Sequence, residues 1–221
     1  MHGLPFIDRR EAGKELAREL SKFAGDPNVV VLGLPRGGIP VAFEVAIALG
    51  APLDVFVVRK LGVPGHSELA MGAIASGGVR VINTEVVQAM GIAPMVIDAV
   101  ASQESREIER QEREYRGSTE SREFAGKTVI VIDDGLATGS TMRAAIQALR
   151  RLGPASIVAA VPVGAAVTCR ELERVADEVV CLETPDPFRA VSLWYEEFGQ
   201  TTDHEVRHLL ETAAMALARR K

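Results

Sequence analysis

Residues 129–141 read Val-Ile-Val-Ile-Asp-Asp-Gly-Leu-Ala-Thr-Gly-Ser-Thr, and they say more about the architecture than any other part of the 221-residue chain. The four apolar residues predict a buried strand, and the carboxylates of Asp133 and Asp134 follow at its carboxyl end. In open α/β sheets, ligands bind at the carboxyl ends of the strands. The stretch therefore predicts one strand of such a sheet with a site at its edge.

The turn after the two acids has the chemistry of an anion site. Residues 137–141 are small and rich in hydroxyls, and a helical pattern begins among them. Backbone N–H groups at a helix N-terminus attract anions, and the hydroxyls of Thr138, Ser140 and Thr141 add donors. Two carboxylates beside such a turn suit a ribose 5-phosphate. The plainer alternative is a strand end followed by a helix cap, but the two features together favour the site. A Walker A loop is excluded because no Gly-Lys-Ser/Thr is present.

Short apolar runs alternate with helical patterns along the rest of the chain. The runs predict strands at 28–32, 53–58, 128–132, 156–161 and 178–182, with a further strand at 70–76 that returns through 77–78 into 79–82. The periodic segments predict helices at 8–25, 41–49, 93–115, 140–152, 169–175, 189–198 and 203–219. Strands that alternate with helices are typical of a parallel sheet covered on both faces, so the predicted fold class is α/β.

Composition excludes several classes of protein. With 25 Lys and Arg against 30 Asp and Glu the formal net charge is −5, which argues against a protein that coats nucleic acid. A hydrophobic content of 47% excludes disorder. Cys169 and Cys181 have no CxxC spacing, so no disulfide scaffold or cysteine-rich zinc site is expected, and the predicted compartment is a reducing cytoplasm. Neither a signal peptide nor a membrane span is expected.

A second candidate anion site follows the first predicted strand, where residues 34–40 read Leu-Pro-Arg-Gly-Gly-Ile-Pro. Gly37 and Gly38 permit close approach of a ligand to the backbone, and Arg36 supplies a forked cation suited to a diphosphate. Arg59 and Lys60 close the next predicted strand, at the same edge of the sheet. These residues predict a positively charged neighbourhood beside the acidic pair.

These motifs resemble those of the type I phosphoribosyltransferases. The segment Asp-Asp-x-Leu-Ala-Thr-Gly-x-Thr-Met at 133–142 is similar to the family's motif for phosphoribosyl pyrophosphate (PRPP), in the form of adenine-type members. The resemblance implies a Rossmann-like core in which Asp133 and Asp134 bind the ribose hydroxyls. It assigns the 5-phosphate to the turn formed by Ala137, Thr138, Gly139, Ser140 and Thr141. Hypoxanthine/guanine-type members carry an aspartate where this chain has Ala137, so the 6-oxopurine interpretation loses support.

The resemblance also assigns the second anion site to pyrophosphate. It implies pyrophosphate contacts for Arg36, Gly37, Gly38, Arg59 and Lys60. The predicted catalytic residues are Asp133, Asp134, Arg59 and Lys60.

The glycine-rich residues 59–78 are similar to the family's flexible loop, which folds over the reacting centre and excludes water. His66 and Glu68 are the ionisable residues that this loop offers as proton donors to the base. A role at the surface is the favoured expectation for each.

The predicted domain division is a core at 1–182 and a small C-terminal hood at 183–221. The helix at 93–115 is an insertion in the core, and its alternating charges predict a solvated face. In purine-type enzymes an aromatic residue contacts the base where this chain has Val179, which argues against purine specificity. Three aromatic residues of the hood are expected to pack internally rather than to bind a base: Trp194, Tyr195 and Phe198.

The function that the resemblance implies is transfer of phosphoribose from PRPP to a nitrogen nucleophile, predicted to be a nucleobase, with release of pyrophosphate. Such a pentosyltransferase would use Mg²⁺ held mainly by oxygens of PRPP, without a protein metal site. Two other classes stay open, a PRPP-sensing regulator of the same fold and an acid-pair phosphatase or receiver-like domain. No membrane partner is expected and the negative charge disfavours nucleic acid, whereas a homodimer stays open.

Overall fold

The computed structural model describes residues 5–117 and 123–219, apart from the side chains of Ser67 and Glu68. The strands in this part of the chain are β1 (Val29–Gly33), β2 (Leu53–Val55), β3 (Val58–Val63), β4 (His66–Ala75), β5 (Val79–Ile82), β6 (Thr128–Ile132), β7 (Ser156–Val163) and β8 (Glu178–Glu183). Five of them form a central parallel sheet in the order β2-β1-β6-β7-β8. The other three form an antiparallel sheet in the order β3-β4-β5.

Helices cover both faces of the central sheet. They are α1 (Arg9–Glu19), α2 (Gly38–Leu49), α3 (Thr84–Ala89), α4 (Pro94–Arg116), α5 (Ser140–Arg150), α6 (Ala166–Leu172) and α7 (Asp203–Ala218). Val29 and Val31 of β1 face a core shared with α1, α2 and α7, whereas Val30 and Leu32 face one shared with α5 and α6. Each buried strand thus supplies both layers, because successive side chains point to opposite faces. The predicted α/β class is confirmed.

The prediction of a flexible loop at 59–78 is wrong, because most of this segment is β-strand. The segment forms most of β3 and β4, joined by a short turn at Pro64 and Gly65, and β4 continues into β5 as predicted for 70–82. Gly72 lies inside β4 because the β5 backbone approaches it closely, and a Cβ there would lie 2.3 Å from the carbonyl oxygen of Val81. The glycines of this segment indicated a loop, but one of them marks a close approach of two strands.

Two further predicted elements differ from the structure. The strand predicted at 53–58 is divided, because β2 ends at Val55 in one sheet and β3 begins at Val58 in the other. The helix predicted at 189–198 is a single 3₁₀ turn at Val191–Trp194. Beyond that turn the backbone pairs with the N-terminal segment, since the amide of Phe6 donates to Trp194 and the amide of Glu196 donates to Phe6. This tertiary pairing overrides the helical periodicity.

Helix α4 coincides within one residue with the insertion predicted at 93–115, and it packs against β3, β4 and α7. Its exposed side carries the predicted i,i+4 ion pairs, such as Arg110–Glu114 at 2.8 Å. Its last residue, Arg116, is instead buried and pairs with Asp54 at 2.6 Å and with Glu112 at 3.2 Å. The helix is therefore tied into the core through charges and is solvated on one side only.

The region predicted as a hood surrounds a small apolar cluster. Tyr195 packs there against Phe6 and Phe198, with ring centroids 5.7 and 5.1 Å away. Phe6 belongs to the N-terminal segment, so both ends of the described chain contribute to this cluster. None of the described helices is both long and apolar enough to cross a bilayer.

Candidate active site

The two predicted anion turns meet at one edge of the central sheet. Strands β1 and β6 are parallel neighbours, with Gly33 paired to Ile132, so the residues that follow them emerge side by side. The amide of Leu34 donates to the carbonyl of Ile132 at 2.9 Å, which continues the pairing beyond β1. The Pro35–Arg36 peptide, which is cis, then leads to Gly37 and Gly38. Register alone thus brings the glycine turn to the acidic pair.

Gly37 and Gly38 are required by the close approach of these two turns. A Cβ on Gly37 would lie 2.1 Å from Oδ2 of Asp134, and one on Gly38 would lie 2.6 Å from the carbonyl oxygen of Ile132. Any larger residue would displace the acidic pair or the turn. The motif predicted that these glycines allow a ligand to approach the backbone. In the structure, the groups that lie against them belong to the end of β6 and the acidic pair.

Arg9, at the start of α1, makes an ion pair with the acidic pair. Its Nε donates to Oδ2 of Asp134 at 2.8 Å, and both side chains are largely buried. From the opposite side, the hydroxyl of Tyr195 donates to the backbone carbonyl of Asp134 at 2.6 Å. Sequence reasoning missed both contacts, because an arginine just after a helix N-cap carries no signal of the strand end it will meet.

Asp133 lies in different surroundings from Asp134. Burial, and then the neighbouring charge of Asp134, raise the pKa of Asp133 well above its usual value. The amide of Asp134 donates to Oδ1 of Asp133 at 2.9 Å, which favours the ionised form but does not outweigh the burial. The pair therefore contains one carboxylate matched by a guanidinium and one that binds its proton more tightly.

The predicted phosphate turn is exposed and rigidly supported. Gly139 has φ +66°, which a residue with a side chain rarely adopts, and α5 begins immediately after it. The hydroxyl of Thr168, on α6, donates to the carbonyl of Ala137 at 2.7 Å and holds the turn from below. The side chains of the turn face solvent at Ala137, Thr138, Ser140 and Thr141. The hydroxyl groups of Thr138, Ser140 and Thr141 are thus exposed at this edge of the sheet.

Arg59 and Lys60 do not lie together. They are consecutive in β3 and so point to opposite faces, and Arg59 makes an ion pair with Glu104 of α4. Lys60 lines a cavity of about 680 Å³ together with Thr138, Ser140 and Thr141, and Arg143 lines it too. Of Arg59 and Lys60, the structure places Lys60 in the cavity beside the predicted phosphate turn.

A second cavity, of about 360 Å³, lies between the acidic pair and the predicted hood. The residues that form its walls come from α1, the glycine turn, the acidic pair and the hood: Arg9, Arg36, Gly37, Asp134 and residues 198–201. Arg36 also approaches Asp203 at the start of α7, with 3.7 Å between Nη1 and Oδ1. A ligand that reached both Asp134 and the phosphate turn would extend from this cavity into the larger one.

The aromatic residues of the hood divide into two kinds. Trp194 packs on Phe188 with centroids 6.4 Å apart, as expected for an internal residue. Phe198, in contrast, lines the hood cavity, and Tyr195 reaches the backbone of Asp134. His66 is exposed in the hairpin, and the side chain of Glu68 lies outside the described residues.

Metal-binding side chains do not cluster in the part of the chain that the structure describes. Within residues 5–117 and 123–219 no group of three or more His, Cys, Asp or Glu side chains is arranged to hold an ion.

The fold and the site together define a class of protein: an α/β protein whose parallel sheet presents an acidic pair, a hydroxyl-rich anion turn and a glycine turn at one edge. The family model for the phosphoribosyl transferase domain matches residues 64–197 of this chain. The chain belongs to the phosphoribosyl transferase family, which confirms the family that the motifs predicted.

Individual proteins are also similar to this chain. Two Mycobacterium tuberculosis proteins, from strains CDC 1551 and H37Rv, are provisionally named phosphoribosyl transferases and are each 47% identical over 208 residues. That match covers 94% of this chain and 47% of each relative, so the chain spans about half the length of the curated relatives it matches. The crystal structure of protein TT1426 from Thermus thermophilus is 39% identical with a TM-score of 0.83, covering 94% of this chain and 98% of that one.

Proposed function

We propose that this chain binds PRPP and transfers its phosphoribosyl group to a nitrogen nucleophile, with release of pyrophosphate. The observation that carries the proposal is the contact between the two turns. Gly37 admits the carboxylate of Asp134 into a space where no Cβ fits, so the predicted ribose and pyrophosphate contacts share one edge of the sheet. PRPP carries ring hydroxyls and a pyrophosphate on the same ribose, so it would need both of these contacts close together.

Each part of PRPP has a counterpart in the site. Asp133 and Asp134 accept hydrogen bonds from the two ring hydroxyls, and the exposed turn from Ala137 to Thr141 holds the 5-phosphate through its amides and hydroxyls. Arg36, Gly37 and Gly38 hold the pyrophosphate. Lys60 faces the phosphate turn across the larger cavity and approaches the ligand from the antiparallel sheet.

Arg59 takes part in this scheme only if its ion pair with Glu104 opens. The pair joins β3 to α4, and its release would free a cation at the hairpin. The proposed catalytic set is therefore Asp133, Asp134 and Lys60, with Arg59 added when the hairpin changes its contacts with α4.

The proposed reaction breaks the bond from the anomeric carbon to the pyrophosphate oxygen and forms a bond from that carbon to nitrogen. The electron pair of the broken bond leaves with pyrophosphate, and the nucleophile supplies the new pair and loses a proton. The chain contributes by positioning and by placing charges where charge develops. Mg²⁺ bound through the oxygens of PRPP would neutralise the leaving group.

The nucleophile enters from the hood cavity. Phe198 lies in its wall with the guanidinium of Arg9 stacked on the ring, and Gln200 and Thr201 lie in the same wall. The hydrogen-bonding groups of Gln200 and Thr201 suit a nitrogen heterocycle such as a nucleobase. The sequence favours a surface role for His66 and Glu68, and either would take part only if the hairpin closed over the site and the residue accepted the proton that the nucleophile loses.

Pyrophosphate release tests the proposal. The purified chain is incubated with PRPP and Mg²⁺ and a panel of nucleobases and other nitrogen heterocycles, with a reaction lacking any nucleophile as the blank. Release that depends on one nucleophile supports the enzyme. Tight PRPP binding with no release for any nucleophile would favour the PRPP-sensing regulator instead, and failure to bind PRPP would favour the acid-pair phosphatase.

A further inference from the structure

Arg9 links three separate parts of the site. Its Nε donates to Oδ2 of Asp134 at 2.8 Å and its Nη1 donates to the carbonyl of Gly199 at 2.7 Å. Its guanidinium carbon also lies 3.8 Å from the ring centroid of Phe198. An arginine held by a carboxylate, a carbonyl and an aromatic face has little freedom, because its planar fork satisfies all three at once.

The base of this arginine is fixed as well. Asp8 caps α1, with its side chain accepting from the amide of Glu11 at 2.7 Å, so Arg9 projects from the first helical residue. Only 11% of the Arg9 side chain and 15% of the Asp134 side chain are exposed. The pair is therefore shielded from solvent, and the capped start of the helix fixes the backbone position from which the Arg9 side chain projects.

These contacts fix the orientation of Asp134. Oδ2 is enclosed by Arg9 on one side and by the backbone of Gly37 on the other, where a Cβ would lie only 2.1 Å away. The hydrogen bond from Arg9 reaches Oδ2, and no hydrogen bond from the described residues reaches Oδ1, which is the oxygen left for a ligand hydroxyl. The other charged and titratable neighbours are Asp133, Arg36 and Tyr195, and the contact of Tyr195 is with the backbone carbonyl alone.

We propose that Arg9 is a positioning residue that orients Asp134 toward the ribose and couples this orientation to the hood at Phe198 and Gly199. The inference rests on the proposed function and adds a residue outside the matched family segment, 64–197. Arg9 acts through Asp134 and does not itself touch the reacting atoms.

A double-mutant cycle tests this role. PRPP affinity in the presence of Mg²⁺ is measured by calorimetry for the wild-type chain, R9M, R9K, D134N and R9M/D134N. R10M is the matched control, because Arg10 is also ion-paired, to Glu44 at 2.6 Å, but on the α2 side of the helix and away from the site. Thermal unfolding of every variant separates a loss of fold from a loss of affinity.

We expect R9M to weaken PRPP binding about tenfold in the wild-type background and less than about twofold in the D134N background. R9K, which keeps the charge but not the fork, is expected to fall between R9M and wild type, and R10M to match wild type. An equal effect of R9M in both backgrounds, or no effect in either, would overturn the positioning role. A wild-type chain that does not bind PRPP would overturn the proposed function itself.

If R9M does not fold, the cycle is run with R9K, D134N and R9K/D134N. The expected result is then that R9K loses its effect once Asp134 is amidated, and an undiminished effect contradicts the proposal.

Discussion

Asp133 and Asp134 are neighbours in the chain with opposite energetic roles. Asp134 is matched by Arg9, whereas Asp133 has its pKa raised by burial and by the charge next to it. Under the proposed function, the charge of Asp133 binds the ligand even though this carboxyl group is costly to ionise in the folded chain. The proposal therefore implies that function and stability oppose each other at Asp133.

This contrast predicts opposite stability changes for D133N and D134N. The pKa of Asp133 is raised on folding, so the folded chain binds its proton more tightly than the unfolded chain does. Stability due to this proton is present below the ordinary value of 3.8 and is lost as the pH rises through the raised folded value. D133N is therefore expected to raise Tm at pH 7, by about 2–4 °C for each kcal/mol gained.

D134N is expected to lower Tm under the same conditions, because it leaves the guanidinium of Arg9 buried without its carboxylate. Calorimetric scans of both variants between pH 4 and 8 provide the measurement. A drop in Tm for D133N at pH 7 would contradict the electrostatic account.

Helix α4 shows at the element scale how an insertion becomes part of a core. Its sequence predicted an alternating-charge, solvated helix, and that description holds for Arg110 and Arg113. It fails for Glu112, which is buried and binds Arg116. Arg116 lies one residue beyond the predicted helix, its side chain is 9% exposed, and it also binds Asp54 of β2. Two buried carboxylates share this guanidinium, so it is required to offset their charge.

R116M is therefore expected to destabilise the chain strongly, by about 3–5 kcal/mol, because it leaves Asp54 and Glu112 buried without this cation. R113M on the same helix is the control. Its pair with Glu109 spans 4.0 Å between exposed side chains, so a change below about 0.5 kcal/mol is expected. Urea unfolding of both variants measures the difference, and equal losses would show that α4 is not anchored through Arg116.

The elements that sequence predicts well here are those dictated by local chemistry. The apolar strands β1 and β6 and the turn at Ala137 to Thr141 occur where their patterns place them. The helix predicted at 189–198 fails because Tyr195 pairs with Phe6 of the N-terminal segment, a long-range contact that no local pattern encodes. The loop predicted at 59–78 is wrong for a similar reason. Gly72 is needed there because the backbone of the neighbouring strand lies too close for a side chain.

The whole molecule explains why the candidate site was only partly visible in the sequence. Asp133, the phosphate turn and the glycine turn follow their own strands and are recognisable as motifs. Arg9 comes from the first helix, and Tyr195 and Phe198 come from the far end of the described chain. Tertiary packing, and not any local pattern, brings these three residues to the site. Arg9 thereby adds a cation to the acidic pair in a chain whose net charge is −5.

The central claim is that one ligand, PRPP, bridges the acidic pair and the two anion turns. The measurement that tests it most directly is a calorimetric titration of the chain with PRPP and Mg²⁺, run in parallel on the wild type and on D133N/D134N, with thermal unfolding to confirm that the variant is folded. The account predicts binding by the wild type and a loss of about 100-fold in the variant, because two hydrogen bonds to charged acceptors are removed. Equal affinity of the two proteins for PRPP, or no binding by the wild type, would contradict it.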